Sequence, residues 1–124
     1  MADILTAFKH QGIKLAVVTT DNEVITRQCL QRLGIEELFD VIYTDDGVTP
    51  TKPNPFCVHD FCQKVGIEKE YVVMVGDTMT DVRFAQNAGI KVVSLAQSEG
   101  NRDILAPHAD VVIPSLSHLA EVLA

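Results

Sequence analysis

The chain has 124 residues, 47% hydrophobic, 22% charged and 6% aromatic, with 17 acidic against 10 basic residues and a formal charge of −7. A chain of this size buries roughly two-thirds of its unfolded surface, so it holds a core without staples. The acidic balance, with no basic cluster, excludes a nucleic-acid partner, because backbone binding is carried by Lys and Arg. No apolar run approaches the roughly 18 residues of a membrane span, and the first residues lack the flank and core of a signal peptide. A soluble cytoplasmic protein with no membrane partner is expected. Three cysteines cannot all pair within the chain and read as reduced thiols.

The dipeptide Gly-Ile recurs at Gly12, Gly34, Gly66 and Gly89, each time after helical periodicity, where a left-handed C′ residue belongs. A strand is expected over residues 14–18, then a helix over 22–33 with Val24, Ile25, Cys29, Leu30 and Leu33 as its apolar set. Residues 41–43 read as a second strand. Asn54 and Pro55 open the next helix as N-cap and first helical residue. A strand over 72–75 leads into a helix over 78–88. Strands at 91–93 and 110–113 flank a weaker turn at 101–105, and 115–123 closes the chain as a helix. The strands are apolar on consecutive residues, as strands buried on both faces are. Strands alternating with helices imply an α/β fold with a doubly wound parallel sheet, here as one domain over residues 1–124.

Ligands of open parallel sheets bind beyond the carboxyl ends of the strands. Thr19 follows the first strand, and Thr20, Asp21 and Asn22 run on into a helix start. Lys52 lies in the proline-framed loop Thr49-Pro50-Thr51-Lys52-Pro53-Asn54-Pro55 after the second strand. Asp77 follows the third strand, and Asp81 comes four residues later. Two carboxylates at one strand end repel unless a cation compensates. Magnesium takes oxygen ligands and joins carboxylates to a substrate phosphate. Thr19 can donate to a phosphoryl oxygen, beside the N–H groups of the following helix start. Lys52 would supply fixed positive charge as charge builds during transfer.

The order Val17-Val18-Thr19, Lys52-Pro53 and Gly76-Asp77-x-x-x-Asp81 resembles motifs II, III and IV of the haloacid dehalogenase-like (HAD) hydrolases. Phe39-Asp40-Val41-Ile42, Lys52-Pro53-Asn54-Pro55 and the run from Asp81 to Ala88-Gly89 are similar to the phosphoglycolate phosphatase and β-phosphoglucomutase branch. The resemblance covers nearly the whole chain. It implies a Rossmann-like, HAD-like parallel sheet with helices on both faces, and a magnesium-dependent phosphatase acting on a small phosphorylated metabolite. Thr19 and Thr20 would bind the phosphoryl group, and Lys52 would neutralise it together with the nucleophile. Asp77 would ligate Mg²⁺, and Asp81 would support the metal through water or hold Lys52.

The family's nucleophile lies in an Asp-x-Asp-x-[Thr/Val] motif on an earlier, central strand, and this sequence has no such motif. The cap domain that normally follows that strand is absent as well. The chain alone is expected to be inactive. The strands flanking the missing one must close on each other, or self-association or a partner segment must fill the gap. The alternative reading is a degenerate, non-catalytic HAD-like module that binds a partner chain. A response-regulator receiver domain is rejected, because its acidic pair comes early and its lysine late.

Other residues read as structural. Asp45-Asp46-Gly47 is turn chemistry. Cys57 and Cys62 on one helix point roughly 140° apart, so with His59 they are core thiols and a polar-face imidazole rather than a zinc site. His10, His108 and His118 read as surface residues without partners.

Overall fold

The computed structural model describes residues 2–123. Helix α1 (Ala2–His10) buries Phe8 and leads into strand β1 (Ala16–Val18). Helix α2 (Glu23–Arg32) starts on Asn22, whose side chain accepts the Ile25 N–H at 2.9 Å. Strand β2 (Val41–Tyr43) is followed by the loop of residues 44–55 and by helix α3 (Phe56–Val65). Strand β3 (Val73–Gly76), helix α4 (Met79–Ala88) and strand β4 (Lys91–Leu95) come next. Helix α5 (Glu99–Leu105), strand β5 (Val111–Ile113) and helix α6 (Leu119–Leu123) complete the described chain. Helices α3 and α4 end on Gly66 and Gly89 at φ 69 and 73, the left-handed backbone that the Gly-Ile pattern predicts.

Three boundaries differ from the sequence expectation. Pro55, not Asn54, occupies the cap position of α3, and Asn54 instead accepts the Phe56 N–H at 3.0 Å. The weak turn near residue 101 is a true helix, because Ser98 caps it by accepting the Asn101 N–H. The last helix is split, with a 3-10 turn at Leu116–His118 ahead of α6. His118 is not partnerless either: its Nδ1 lies 3.2 Å from the Ser115 hydroxyl.

All strand pairs are parallel. They form two sheets, β1-β2 and β3-β4-β5. Of the two outcomes expected for these flanking strands, direct closure of β1 on β3 does not occur, and no described segment lies between them. An open slot of about 860 Å³ separates the two edges, lined by Val18 and Val75 of the edge strands and by Phe8, Phe61 and Phe84 among others. The slot explains why only β4 is buried on both faces. Val92, Val93 and Ser94 are at most 3% exposed, whereas β1 is half-buried and Val73 of β3 is exposed. Within β4 the alternation is clean: Val92 packs with Val82, Ala85 and Leu105, and Val93 with Phe8, Ile113 and Leu119. Helices α4 and α5 therefore cover one face of the sheet, and α1 and α6 the other.

A third cluster holds β2 against α3 and α4 through Tyr43, Cys57, Val58, Phe61, Phe84 and Ala88. The Tyr43 hydroxyl donates to the Asp60 carboxylate at 2.6 Å, and Lys64 pairs with the same carboxylate at 3.0 Å. Burial, and then this bond, push the phenol well above its ordinary value. Tyr43→Phe keeps the ring and loses a hydrogen bond to a charged acceptor. It should lower stability by about 1.5 kcal/mol, read as a lower urea midpoint; an unchanged midpoint would reject the role.

Candidate functional site at the carboxyl ends of the strands

The centre of the site is the Asp81 carboxylate, in the first turn of α4. Thr78 is the N-cap, and the pair forms a capping box in which Thr78 Oγ1 accepts the Asp81 N–H at 3.3 Å. Asp81 Oδ2 accepts the Asp77 N–H at 3.1 Å, the Thr78 N–H at 3.3 Å and the Thr78 hydroxyl at 3.0 Å. Its other oxygen, Oδ1, accepts from Lys52 Nζ at 2.6 Å. The two side chains are only 13% and 6% exposed, so the pair is charge-assisted and shielded from solvent. Gly76 makes room for it, because a Cβ there would overlap the Asp81 carboxylate.

Lys52 reaches this point because its loop is tied down along its length. Asp46 accepts the Val48 N–H at 2.8 Å, the Thr49 N–H at 2.6 Å and the Thr49 hydroxyl at 2.7 Å. Those donors, the Thr49 N–H foremost, hold the Asp46 carboxyl at about 2. Asn87 on α4 donates to the Pro53 carbonyl at 2.8 Å, next to Lys52 itself. Gly47 adopts φ 77 and donates to Asp45, so the Asp45-Asp46-Gly47 run is the turn its composition predicts.

Thr19 lies at the end of β1. Its N–H donates to the Tyr43 carbonyl at 3.0 Å, and its hydroxyl oxygen accepts the Asp21 N–H at 3.1 Å. The hydroxyl keeps its own proton to donate. Thr20 is exposed beside it. The structure thus joins Lys52 to Asp81 and to the Asp77 backbone, with Thr19 and Thr20 on the β1 side of the slot. No hydrogen bond links these threonines to the pair among the described residues. Of the two roles open to Asp81, the contact with Lys52 is present through Oδ1, while Oδ2 is taken by the Asp77 and Thr78 donors. Asp77 is exposed, and its carboxylate makes no hydrogen bond or ion pair among the described residues. One free carboxylate at a strand end, leaving the remaining positions to water and substrate oxygen, is a donor set that fits magnesium. Among the described residues no three His, Cys, Asp or Glu side chains gather as a metal cluster. Cys57 is in the core with Cys62 packed against it, and His59 is exposed.

The Haloacid dehalogenase-like hydrolase family profile matches residues 1–95. The chain belongs to the haloacid dehalogenase-like hydrolase family. It is 32% identical over 123 residues to a phosphoglycolate phosphatase of Neisseria meningitidis, covering 96% of this chain and 52% of the relative. It is 33% identical over 115 residues to the pyrophosphatase PpaX of Halalkalibacterium halodurans, covering 92% and 54%. The crystal structure of a predicted phosphoglycolate phosphatase from Haemophilus somnus superposes with a TM-score of 0.88 at 28% identity, over 98% of this chain and 55% of that one. The chain therefore spans about half the length of the curated relatives it matches. The α/β, Rossmann-like fold inferred from the HAD-like motifs is the fold it has. No described helix is long and apolar enough to cross a membrane.

Sequence reasoning missed three residues that shape this site. Thr78 was within reach, since Thr-x-x-Asp before an apolar run is a variant of the capping-box spacing. The loop-organising role of Asp46 had only its turn signature. Asn87 had no local signal, because its partner Pro53 lies 34 residues away.

Gly76→Ala should displace the Asp81 carboxylate and loosen Lys52, costing about 1–3 kcal/mol in chemical denaturation; wild-type stability would show that the close approach is dispensable. A second expectation concerns pH. A carboxyl depressed from 3.8 to about 2 contributes to the folded loop above pH 3.8, and that contribution is lost as pH falls through about 2. The Thr49 amide signal should titrate with that midpoint by NMR, and Asp46→Asn should abolish the step.

Proposed function

We propose that the chain is the phosphate-handling portion of a magnesium-dependent phosphomonoesterase of the phosphoglycolate phosphatase kind, and a partial HAD-like core domain over residues 1–124. The observation that carries this reading is the shielded Lys52–Asp81 pair, 2.6 Å long, at the carboxyl ends of the strands. A cation held this firmly beside a free Asp77 carboxylate matches what transfer of a dianionic phosphoryl group requires. The phosphatase relatives support the substrate class, a small phosphorylated metabolite.

Each residue has a definite task in this reading. Lys52 places an ammonium against the phosphoryl oxygens and the attacking carboxylate, and Asp81 keeps that ammonium aimed. Thr19 donates its hydroxyl proton to a phosphoryl oxygen, with Thr20 next to it at the helix start. Asp77 would hold Mg²⁺, which when bound neutralises phosphate charge and orients the ester. The reaction forms a bond from an aspartate oxygen to phosphorus and breaks the ester bond. Water then hydrolyses the acyl phosphate to orthophosphate. The attacking aspartate has no candidate in this sequence, so the chain by itself should not turn over.

Phosphate release from 2-phosphoglycolate and p-nitrophenyl phosphate with magnesium tests this directly. The 124-residue chain should stay at background, and the chain fused behind a strand bearing Asp-x-Asp should be active. In the fused protein Lys52→Met should lower kcat by about 10²–10³-fold. Turnover by the chain alone, or a fused protein indifferent to Lys52→Met, would overturn the proposal.

A further inference from the structure

Lys52 is held at both of its ends by one helix. Its ammonium meets Asp81 in the first turn of α4, at 2.6 Å. Its main chain is held from further along the same helix, where Asn87 Nδ2 donates to the carbonyl of Pro53, the next residue, at 2.8 Å. Residues 81 and 87 lie about 9 Å apart along the helix axis. Between these contacts sits the tight turn of residues 51–54, closed by the Asn54 N–H donating to the Thr51 carbonyl at 2.9 Å. Lys52 is inside that turn, so whatever moves the turn moves the root of its side chain. Asp46 ties only the loop ahead of the turn, and Asn54 binds forward to Phe56. Among the described residues, Asn87 alone joins the main chain of the turn to the helix that carries Asp81.

The helix itself does not call for asparagine here. Asn87 is exposed in the last turn of α4, ahead of the Gly89 cap. Asparagine is among the weaker helix formers, because its side chain favours competing non-helical bonds to the backbone, and alanine would suit the helix better. Its side chain takes no part in ending the helix, since the Gly89 N–H bonds to the Ala85 and Gln86 carbonyls. An exposed hydrogen bond between neutral groups adds little stability. What the amide does is fix the root of Lys52 relative to Asp81. A lysine is a point charge on a flexible four-carbon stem, so the ion pair fixes the ammonium and leaves the root free. An ammonium that must face Asp81 and a phosphoryl oxygen together needs both ends fixed, because a misplacement of about 1 Å can cost about 10²-fold in rate.

We propose that Asn87 is a positioning residue for the reaction. Its amide holds the Pro53 carbonyl to α4, and so presents the Lys52 ammonium to the phosphoryl group in a single geometry. It acts through the main chain of the lysine turn and touches neither substrate nor metal. The residue is one that helix propensity disfavours and that the fold does not need, as residues kept for a site rather than for stability are. Its kinetic consequence rests on the phosphatase reading, whereas its hold on Lys52 rests on geometry alone, so the two can fail separately.

The test has two readouts. In the 124-residue chain the Lys52 ammonium, shielded in its pair, should give a slowly exchanging lysine Nζ signal by NMR. Asn87→Ala should quicken its exchange with water at least about fivefold, with the thermal midpoint within about 4 °C of wild type. In the chain fused behind an Asp-x-Asp strand, Asn87→Ala should lower kcat about tenfold and leave KM nearly unchanged. Asn87→Gln, which keeps the donor one methylene further out, should recover most of that loss. An unchanged ammonium signal, an unchanged kcat in an active fused protein, or a loss as large in Asn87→Gln would overturn the proposal. A fall in midpoint of more than about 4 °C in Asn87→Ala would make the residue a stabilising one and overturn it too. A fused protein inactive with Asn87 in place would sink the phosphatase reading instead, and the ammonium signal would then decide the role of Asn87 by itself.

Discussion

One buried carboxylate holds the site together. Asp81 spends one oxygen on the start of its own helix and the other on Lys52, which lies 29 residues earlier. The end of β3, the first turn of α4 and the loop of residues 49–55 are thereby fixed to one point. Removing either partner of a pair this shielded leaves an uncompensated charge, a loss of about 3–5 kcal/mol. Replacing both by apolar residues would cost much less and would keep the fold. The pair is therefore better understood as a positioning device than as a source of stability. It holds an ammonium at a strand end in a single geometry, as charge stabilisation in a transition state demands.

The second constraint is the divided sheet. A parallel sheet normally buries both faces of every strand under helices, and here β4 alone meets that condition in full. The helices are in place on both faces, anchored by Phe84 on one side and Phe8 on the other. Between β1 and β3 lies the open slot of about 860 Å³. Thr19 and Thr20 stand on one bank of this gap, and Asp77 with the Lys52–Asp81 pair on the other.

Much of the site was legible in the sequence because strand ends are. Thr19, Lys52 and Asp77 each follow an apolar run, and in an open parallel sheet such positions share one edge whatever the details of packing. The glycine ends of α3 and α4 were equally local. Helix boundaries drifted where proline was read too literally: Asn54 and Pro55 shift by one position because Asn54 satisfies the Phe56 N–H from outside the helix. The burial of β1 and β3 was overestimated, since consecutive apolar residues report the environment a strand is suited to, not the one it has.

By itself the sequence determined the order and type of the elements, the parallel pairing, the HAD-like motifs and the strand-end positions of Thr19, Lys52 and Asp77. These follow from periodicity, capping and turn chemistry, which act over a few neighbouring residues. Only the tertiary structure decided that Asp81 binds Lys52 with both its oxygens engaged, that Asn87 clamps Pro53, and that the sheet divides rather than closes. Each of those depends on groups some 30 residues apart, or on an edge for which the described chain has no partner. Such contacts are set by how helices pack across a sheet, where side-chain volume and backbone pairing must be satisfied together and no local pattern records the outcome.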